Sequence, residues 1–80
     1  MITNFNIELS EGHFEFIALN RVKLQLFQVY VNHEGNKKRF HLQLSNDGVF
    51  YITDKQSCPD IYHGLENTLG EAILSLGQIA

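Results

Sequence analysis

Residues 39–44 read RFHLQL and show the cleanest alternation of polar and apolar side chains in the chain. Phe40, Leu42 and Leu44 occupy every second position, and polar residues separate them. A period of two is typical of a β-strand with one face on a hydrophobic core and the other in solvent. The run therefore predicts a strand whose apolar face needs neighbouring strands and a covering layer.

Segments on either side of this run also predict strands, because each is rich in alternating apolar residues and is bounded by turn residues. They lie at residues 5–9, 14–18, 22–31 and 49–53. The turn sequences between strands are Glu11-Gly12, Asn20-Arg21, Glu34-Gly35 and Asn46-Asp47-Gly48. Strands joined by short turns pair antiparallel, so residues 2–54 predict a five-stranded antiparallel β-meander.

The turn lengths set the expected registers, because facing residues must point to the same side of a sheet. The registers that keep apolar residues on one face are Ile7 opposite Phe16, Val29 opposite Phe40, and Leu44 opposite Phe50. The first requires a two-residue turn at Glu11-Gly12. The last requires a three-residue turn in which Gly48 adopts a positive φ.

The middle strand gives conflicting registers. A three-residue loop at residues 19–21 pairs Phe16 with Leu24, whereas the loop that follows the strand pairs Val29 with Phe40. Leu24 and Val29 would then lie on opposite faces of a regular strand. We expect a β-bulge near Leu26-Phe27 that resets the phase. The alternative is a strand that is apolar on both faces because both faces are covered.

A C-terminal helix is predicted over residues 58–76. Ser57 is a candidate N-cap and Pro59 suits the first turn. Apolar residues follow at three- and four-residue spacing and form one stripe. They are Ile61, Leu65, Leu69, Ala72, Ile73 and Leu76. Gly64 and Gly70 indicate close packing on the sheet or a break near Gly64, and Gly77 suits the helix end.

Together these segments predict one α+β domain spanning residues 1–80. The expected architecture is a five-stranded antiparallel β-meander with one C-terminal α-helix packed across one sheet face, in the order β-β-β-β-β-α. The apolar stripe of the helix and the one-sided strands must bury each other.

The composition restricts the classes of function. The 80 residues carry a formal net charge of −3, which argues against a protein that binds a phosphate backbone. A single cysteine, Cys58, permits no internal disulfide and favours a reducing, cytoplasmic location. The N-terminus lacks the pattern of a signal peptide, and no apolar run is long enough for a membrane span, so we expect no membrane partner.

Catalytic and metal-binding patterns are weak. Cys58 lies at the predicted helix N-terminus, where a thiol can become reactive, but His63 lies about 140° around the helix from it. Ligands for a metal usually occur in close pairs along the chain, whereas His13, His33 and His41 are scattered. We therefore expect neither an enzyme nor a metal or cofactor site. A thiol-redox protein that uses Cys58 is the least favoured alternative.

Binding functions remain, and association is the leading one. The sheet face away from the helix should expose Ile17, Tyr30, Val49 and Tyr51 as a candidate interface. The sequence therefore predicts a protein–protein interaction module that forms a homodimer or docks to a larger protein. An edge strand, the first or the fifth, is the other candidate for pairing.

The alternative function is weak binding of single-stranded nucleic acid through the same face. Tyr30, Arg39, His41 and Tyr51 would supply aromatic and basic groups there. The chain has a single basic run, Lys37-Lys38-Arg39, and such a run beside a tight turn also serves to protect a sheet edge from pairing.

Overall fold

The structure is a computed structural model that describes residues 1–78, so residues 79 and 80 of the expected domain lie outside it. The strands are β1 (Phe5–Leu9), β2 (Gly12–Ala18), β3 (Leu26–His33), β4 (Asn36–Leu44) and β5 (Phe50–Ile52). A 3₁₀ helix (Asp60–Leu65) leads directly into α1 (Glu66–Leu76). The strands form one antiparallel sheet in the order β1-β2-β3-β4-β5. The predicted meander with a C-terminal helix is confirmed.

The registers of the last two hairpins are as predicted. Val29 faces Phe40, and Leu44 faces Phe50. Gly48 has a φ of 82°, so the turn before β5 uses the positive φ that the sequence required. The turn before β4 consists of Glu34 and Gly35, both with positive φ, which is the pattern of a two-residue hairpin turn.

The predicted register of the first hairpin is wrong by two residues. Leu9 faces Gly12, and Ile7 faces Phe14 rather than Phe16. Gly12 pairs with Leu9 and begins β2, and its φ of 155° is a conformation that residues with a side chain rarely adopt. A shift of two preserves the face of every side chain, so the apolar pattern could not detect it.

The bulge predicted near Leu26-Phe27 is also wrong. Residues 19–25 are a loop, and β3 begins at Leu26 and keeps one phase. The side-chain oxygen of Asn20 accepts hydrogen bonds from the N–H groups of Val22 and Lys23, at 3.0 and 2.9 Å. This turn interrupts the alternation of side chains between the end of β2 at Ala18 and the start of β3 at Leu26. The conflict arose because the loop residue Leu24 was read as part of the strand.

The start of the helical segment differs from the predicted one. The break expected near Gly64 is present, since the 3₁₀ helix gives way to α1 at Glu66. Ser57 does not cap it; the preceding residue is Pro59, and no side chain makes a capping hydrogen bond. Ile61 is 62% exposed, and Tyr62 is buried in its place. A 3₁₀ turn rotates each residue by more than an α-helical turn does, so the α-helical spacing misplaced Ile61.

The core lies between the sheet and the helical segment. Its largest buried side chains are Phe14, Phe16, Phe27, Phe40, Phe50, Leu42, Tyr62, Leu69 and Ile73. Aromatic rings make edge contacts through it, such as Phe27 against Phe50 with ring centres 6.2 Å apart. Each buried ring contributes about 2–3 kcal/mol of transfer free energy. Among residues 1–78, no helix is long and apolar enough to cross a membrane.

Candidate protein interface

The outer side of β5 is occupied by α1. The N–H of Ile52 donates a hydrogen bond to Glu66 Oε2 at 2.8 Å, which satisfies a backbone group that would otherwise face outward. Gly70 packs so closely that a Cβ there would lie 3.1 Å from Phe50 Cβ and 3.5 Å from the Phe50 carbonyl oxygen. The carboxylate of Glu66 also lies 3.6 Å from Lys55 Nζ. A second strand therefore has no access to this edge.

The opposite end strand, β1, has an open edge. The N–H of Ala18 points to the β1 side and donates to Asn4 Oδ1 at 2.8 Å. Backbone groups alternate sides along a strand, so Phe5 faces its partner Phe16 with its own N–H and C=O. The N–H and C=O of Asn6 and Glu8 then point away from the sheet. On that side they meet no hydrogen-bond partner anywhere in residues 1–78.

The side chains of β1 alternate in the same way. Phe5, Ile7 and Leu9 lie on the helix side of the sheet and are only half-buried, although they pack against the core. Phe5 stacks on Phe16 with ring centres 4.4 Å apart. Glu8 is exposed on the other face, and its carboxylate lies 2.8 Å from His13 Nδ1. The open edge therefore carries an apolar row on one face and polar groups on the other.

The predicted interface residues on the uncovered sheet face fall into two separate pairs. Ile17 and Tyr30 are half-buried on β2 and β3. Tyr51 lies on β5 with Val49 just before it, and these side chains are 40% and 51% exposed. Strand β4 lies between the pairs and contributes polar side chains such as Gln43, which faces Tyr51.

Tyr30 makes a hydrogen bond and a cation–π contact with other residues of the chain. Gln28 Nε2 donates a hydrogen bond to the Tyr30 hydroxyl oxygen at 2.9 Å. Lys37 Nζ lies 4.8 Å from the centre of the tyrosine ring and 3.8 Å from Glu15 Oε1. The ring face that would stack on a nucleic-acid base is therefore covered by a cation that has its own carboxylate partner.

His41 belongs to a polar network that includes a carboxylate. His41 Nδ1 lies 3.0 Å from Asp54 Oδ2, and the backbone N–H of His41 donates to Asp54 Oδ1 at 2.8 Å. Burial alone would raise the pKa of the Asp54 carboxyl, but the hydrogen bonds from His41 outweigh burial and lower that pKa below its usual value. Asp54 is thus a fixed negative charge beside the predicted nucleic-acid face. Of the four residues predicted there, Arg39 and Tyr51 are exposed.

Cys58 is buried, with 2% of its surface exposed. Burial, followed by the charges of Asp54, Asp60 and Glu66, raises the pKa of its thiol to about 11. His63 Nε2 lies 2.9 Å from the backbone oxygen of Cys58. These surroundings disfavour the thiolate, which is the reactive form. Within residues 1–78, no three His, Cys, Asp or Glu side chains converge as metal ligands.

Comparison of the chain with known proteins finds no matching family model, no matching curated protein and no matching solved structure. The candidate interface therefore depends on the geometry of the sheet edges alone. The sequence offered both end strands as pairing edges but gave no sign that Glu66 would close one of them. The contact of Glu66 with Ile52 depends on the tertiary fold and not on a local sequence pattern.

Proposed function

We propose that this protein is a small protein–protein interaction module that acts as a homodimer joined along β1. The observation that carries this proposal is the open edge of β1, where the outward backbone groups of Asn6 and Glu8 have no partner within residues 1–78 and lie beside the half-buried row Phe5, Ile7 and Leu9. An open edge of this kind is a template for pairing with another strand. We place the module in the cytoplasm, because a reducing compartment preserves a single free cysteine.

A second copy of the chain fits this edge in one register that pairs all of β1. When two β1 strands run antiparallel about a two-fold axis at Ile7, Ile7 faces its own copy. Phe5 then faces Leu9, which extends the apolar row across both copies. Asn6 and Glu8 face each other as hydrogen-bonded pairs, because their N–H and C=O groups are the ones that point outward.

Charge and overlap both favour this register. A shift that places the axis at Glu8 brings two carboxylates directly opposite each other, which is destabilising. A shift that places the axis at Asn6 leaves Leu9 without a facing residue. With the axis at Ile7, each Glu8 faces the neutral Asn6, and the sheet becomes a continuous ten-stranded one.

Sedimentation velocity over a concentration series from about 1 μM to 1 mM tests the proposal, because this range detects a dimer with a micromolar dissociation constant. We expect a reversible monomer–dimer equilibrium. A monomer at every concentration overturns the proposal.

Two matched variants locate the interface. Ile7→Lys places two ammonium groups opposite each other at the axis, so it should abolish the dimer. Ile17→Lys makes the same change at a half-buried residue of β2 on the other face of the sheet, and should leave the dimer intact. The reverse result assigns the dimer to the uncovered face with Ile17, Tyr30, Val49 and Tyr51, and contradicts pairing through β1.

A further inference from the structure

The sheet has a second stretch of open edge, on β4. Strand β5 pairs only with residues Leu42–Leu44, whereas β4 begins at Asn36. The N–H of Thr53 donates to the carbonyl of His41 at 3.0 Å, and Asp54 accepts the N–H of His41, so pairing on this side ends at His41. Residues 36–39, the first half of β4, therefore extend past the end of β5.

The backbone groups of Lys37 and Arg39 point out of this free half. The N–H of Leu44 donates to Gln25 on the β3 side, and His41 is bonded on the β5 side. Backbone groups alternate, so odd-numbered residues of β4 face the β5 side. In the part of the chain that the structure describes, the backbone of Lys37 and of Arg39 has no hydrogen-bond partner on that side.

Positive charge surrounds these unpaired groups. Lys37, Lys38 and Arg39 are half of the six lysine and arginine residues of the chain, and all are exposed. Lys37 and Arg39 lie on the uncovered face, whereas Lys38 lies on the helix side with its partner Val31. Among residues 1–78, the side chains of Lys38 and Arg39 form no ion pair.

A shallow groove, open to solvent, runs along the same edge. It has a volume of about 550 Å³ and is lined by Tyr30, Lys37, Lys38, Arg39, Gln56 and Ser57. One wall is the free half of β4, and the other is the turn that follows β5. The space is largely open to solvent, and it leaves room for a short extended segment in line with β5.

We propose that this free half of β4, residues 36–39, binds an extended acidic peptide segment of a partner protein by β-strand addition. Main-chain hydrogen bonds to Lys37 and Arg39 supply affinity, and carboxylates on both faces of the added strand supply specificity. Because Lys38 lies on the opposite face from its neighbours, consecutive acidic residues fit this edge better than alternating ones.

The same charges disfavour pairing of this edge with another copy of itself. Two β4 strands side by side would place lysine and arginine residues next to each other, which is how natural proteins protect open edges. An acidic strand removes that repulsion. Strands β2 and β3 separate this site from β1, so the proposal does not depend on the homodimer.

Fluorescence anisotropy with a labelled hexapeptide that contains three consecutive glutamates flanked by valines tests the proposal. The control peptides have the same sequence with every second backbone nitrogen methylated, in either phase. We expect the unmodified peptide to bind and at least one methylated peptide to bind about tenfold more weakly, because it loses main-chain hydrogen bonds but no charge. Equal binding of all the peptides indicates attraction by charge alone and overturns strand addition.

Two protein variants of equal net charge test where on the protein the peptide binds. Arg39→Gln should weaken binding about fivefold or more, whereas Arg21→Gln, which removes an exposed arginine of the loop at residues 19–25, should not change it. Equal losses in both variants contradict the site. No binding of the peptide at millimolar concentration, or tighter binding of a single-stranded oligonucleotide of equal charge, also overturns the proposal.

Discussion

Strands β1 and β5 are both end strands of the same sheet, yet they differ in what their outer backbone groups meet. On β5 the N–H of Ile52 is bonded to Glu66, and Gly70 brings α1 against Phe50. On β1 the corresponding groups of Asn6 and Glu8 face outward without partners among residues 1–78. An end strand is thus a binding edge only where the rest of the fold leaves it uncovered.

The closure of β5 should be most sensitive to bulk at Gly70. Gly70→Leu adds a side chain where even a Cβ lies 3.1 Å from Phe50 Cβ, so it should push α1 away from β5 and lower the free energy of unfolding by about 3 kcal/mol. Urea denaturation measures this. Gly64→Leu is the control, because no atom lies within 4 Å of a Cβ there. Equal losses in both variants would show that the close contact is unimportant.

The open edge of β1 should be most sensitive to the loss of an outward N–H. Asn6→Pro removes that donor from each copy and should weaken the dimer by at least about 30-fold, because two hydrogen bonds at about 1 kcal/mol each are lost. Sedimentation equilibrium gives the dissociation constant. Asn6→Thr retains the N–H and should leave the constant within about threefold of the parent value. A proline variant that dimerises normally would argue against pairing along β1.

Glu66 should contribute less than Gly70 to the closure of β5. Glu66→Ala leaves the N–H of Ile52 without its acceptor and should lower the free energy of unfolding by about 1 kcal/mol. Glu66→Gln keeps an oxygen acceptor and loses only the partly exposed ion pair with Lys55, so it should cost much less. If both variants are equally destabilised, the ion pair rather than the capped N–H carries the effect.

The smallest effect is a pH dependence next to β5. The pKa of the Asp54 carboxyl is lowered in the folded protein, so its contribution to stability is present above the ordinary pKa of aspartate and is lost as the pH falls through the folded value. We expect a loss of less than about 1 kcal/mol below about pH 4, because the pair is partly exposed. Urea denaturation of the parent and of Asp54→Asn at pH 6 and pH 3 measures it. The variant should lose less stability than the parent, and an equal loss would exclude Asp54 as the source.

The two hairpins that include β4 could be predicted from the sequence because each has a clean alternation and a turn with an unambiguous glycine. Gly35 and Gly48 both have positive φ, as their turns require. The first hairpin was misplaced because Gly12 resembles a turn residue but is the first residue of β2. Leu24 misled the interpretation of β3 because an apolar loop residue that packs on the core looks like part of a strand.

The candidate interface was only partly predictable. Alternation identified both end strands, but the closure of β5 depends on contacts of Glu66 and Gly70 that are distant in sequence from Ile52 and Phe50. The uncovered face was predicted as an apolar patch, yet Tyr30 is covered by Lys37 and hydrogen-bonded to Gln28. The pattern of apolar and polar residues shows on which face of the sheet a side chain lies. It does not show which neighbouring residue forms a hydrogen bond or ring contact with that side chain.

Amide hydrogen exchange followed by NMR at low and high protein concentration tests the central claim that β1 is the edge that pairs with a second copy. The amides of Asn6 and Glu8 should exchange at least about tenfold more slowly at high concentration, since pairing protects them. The amides of Lys37 and Arg39, which also face an open edge, are the internal control and should not change. Unchanged exchange at Asn6 and Glu8 in a sample that dimerises would contradict the claim.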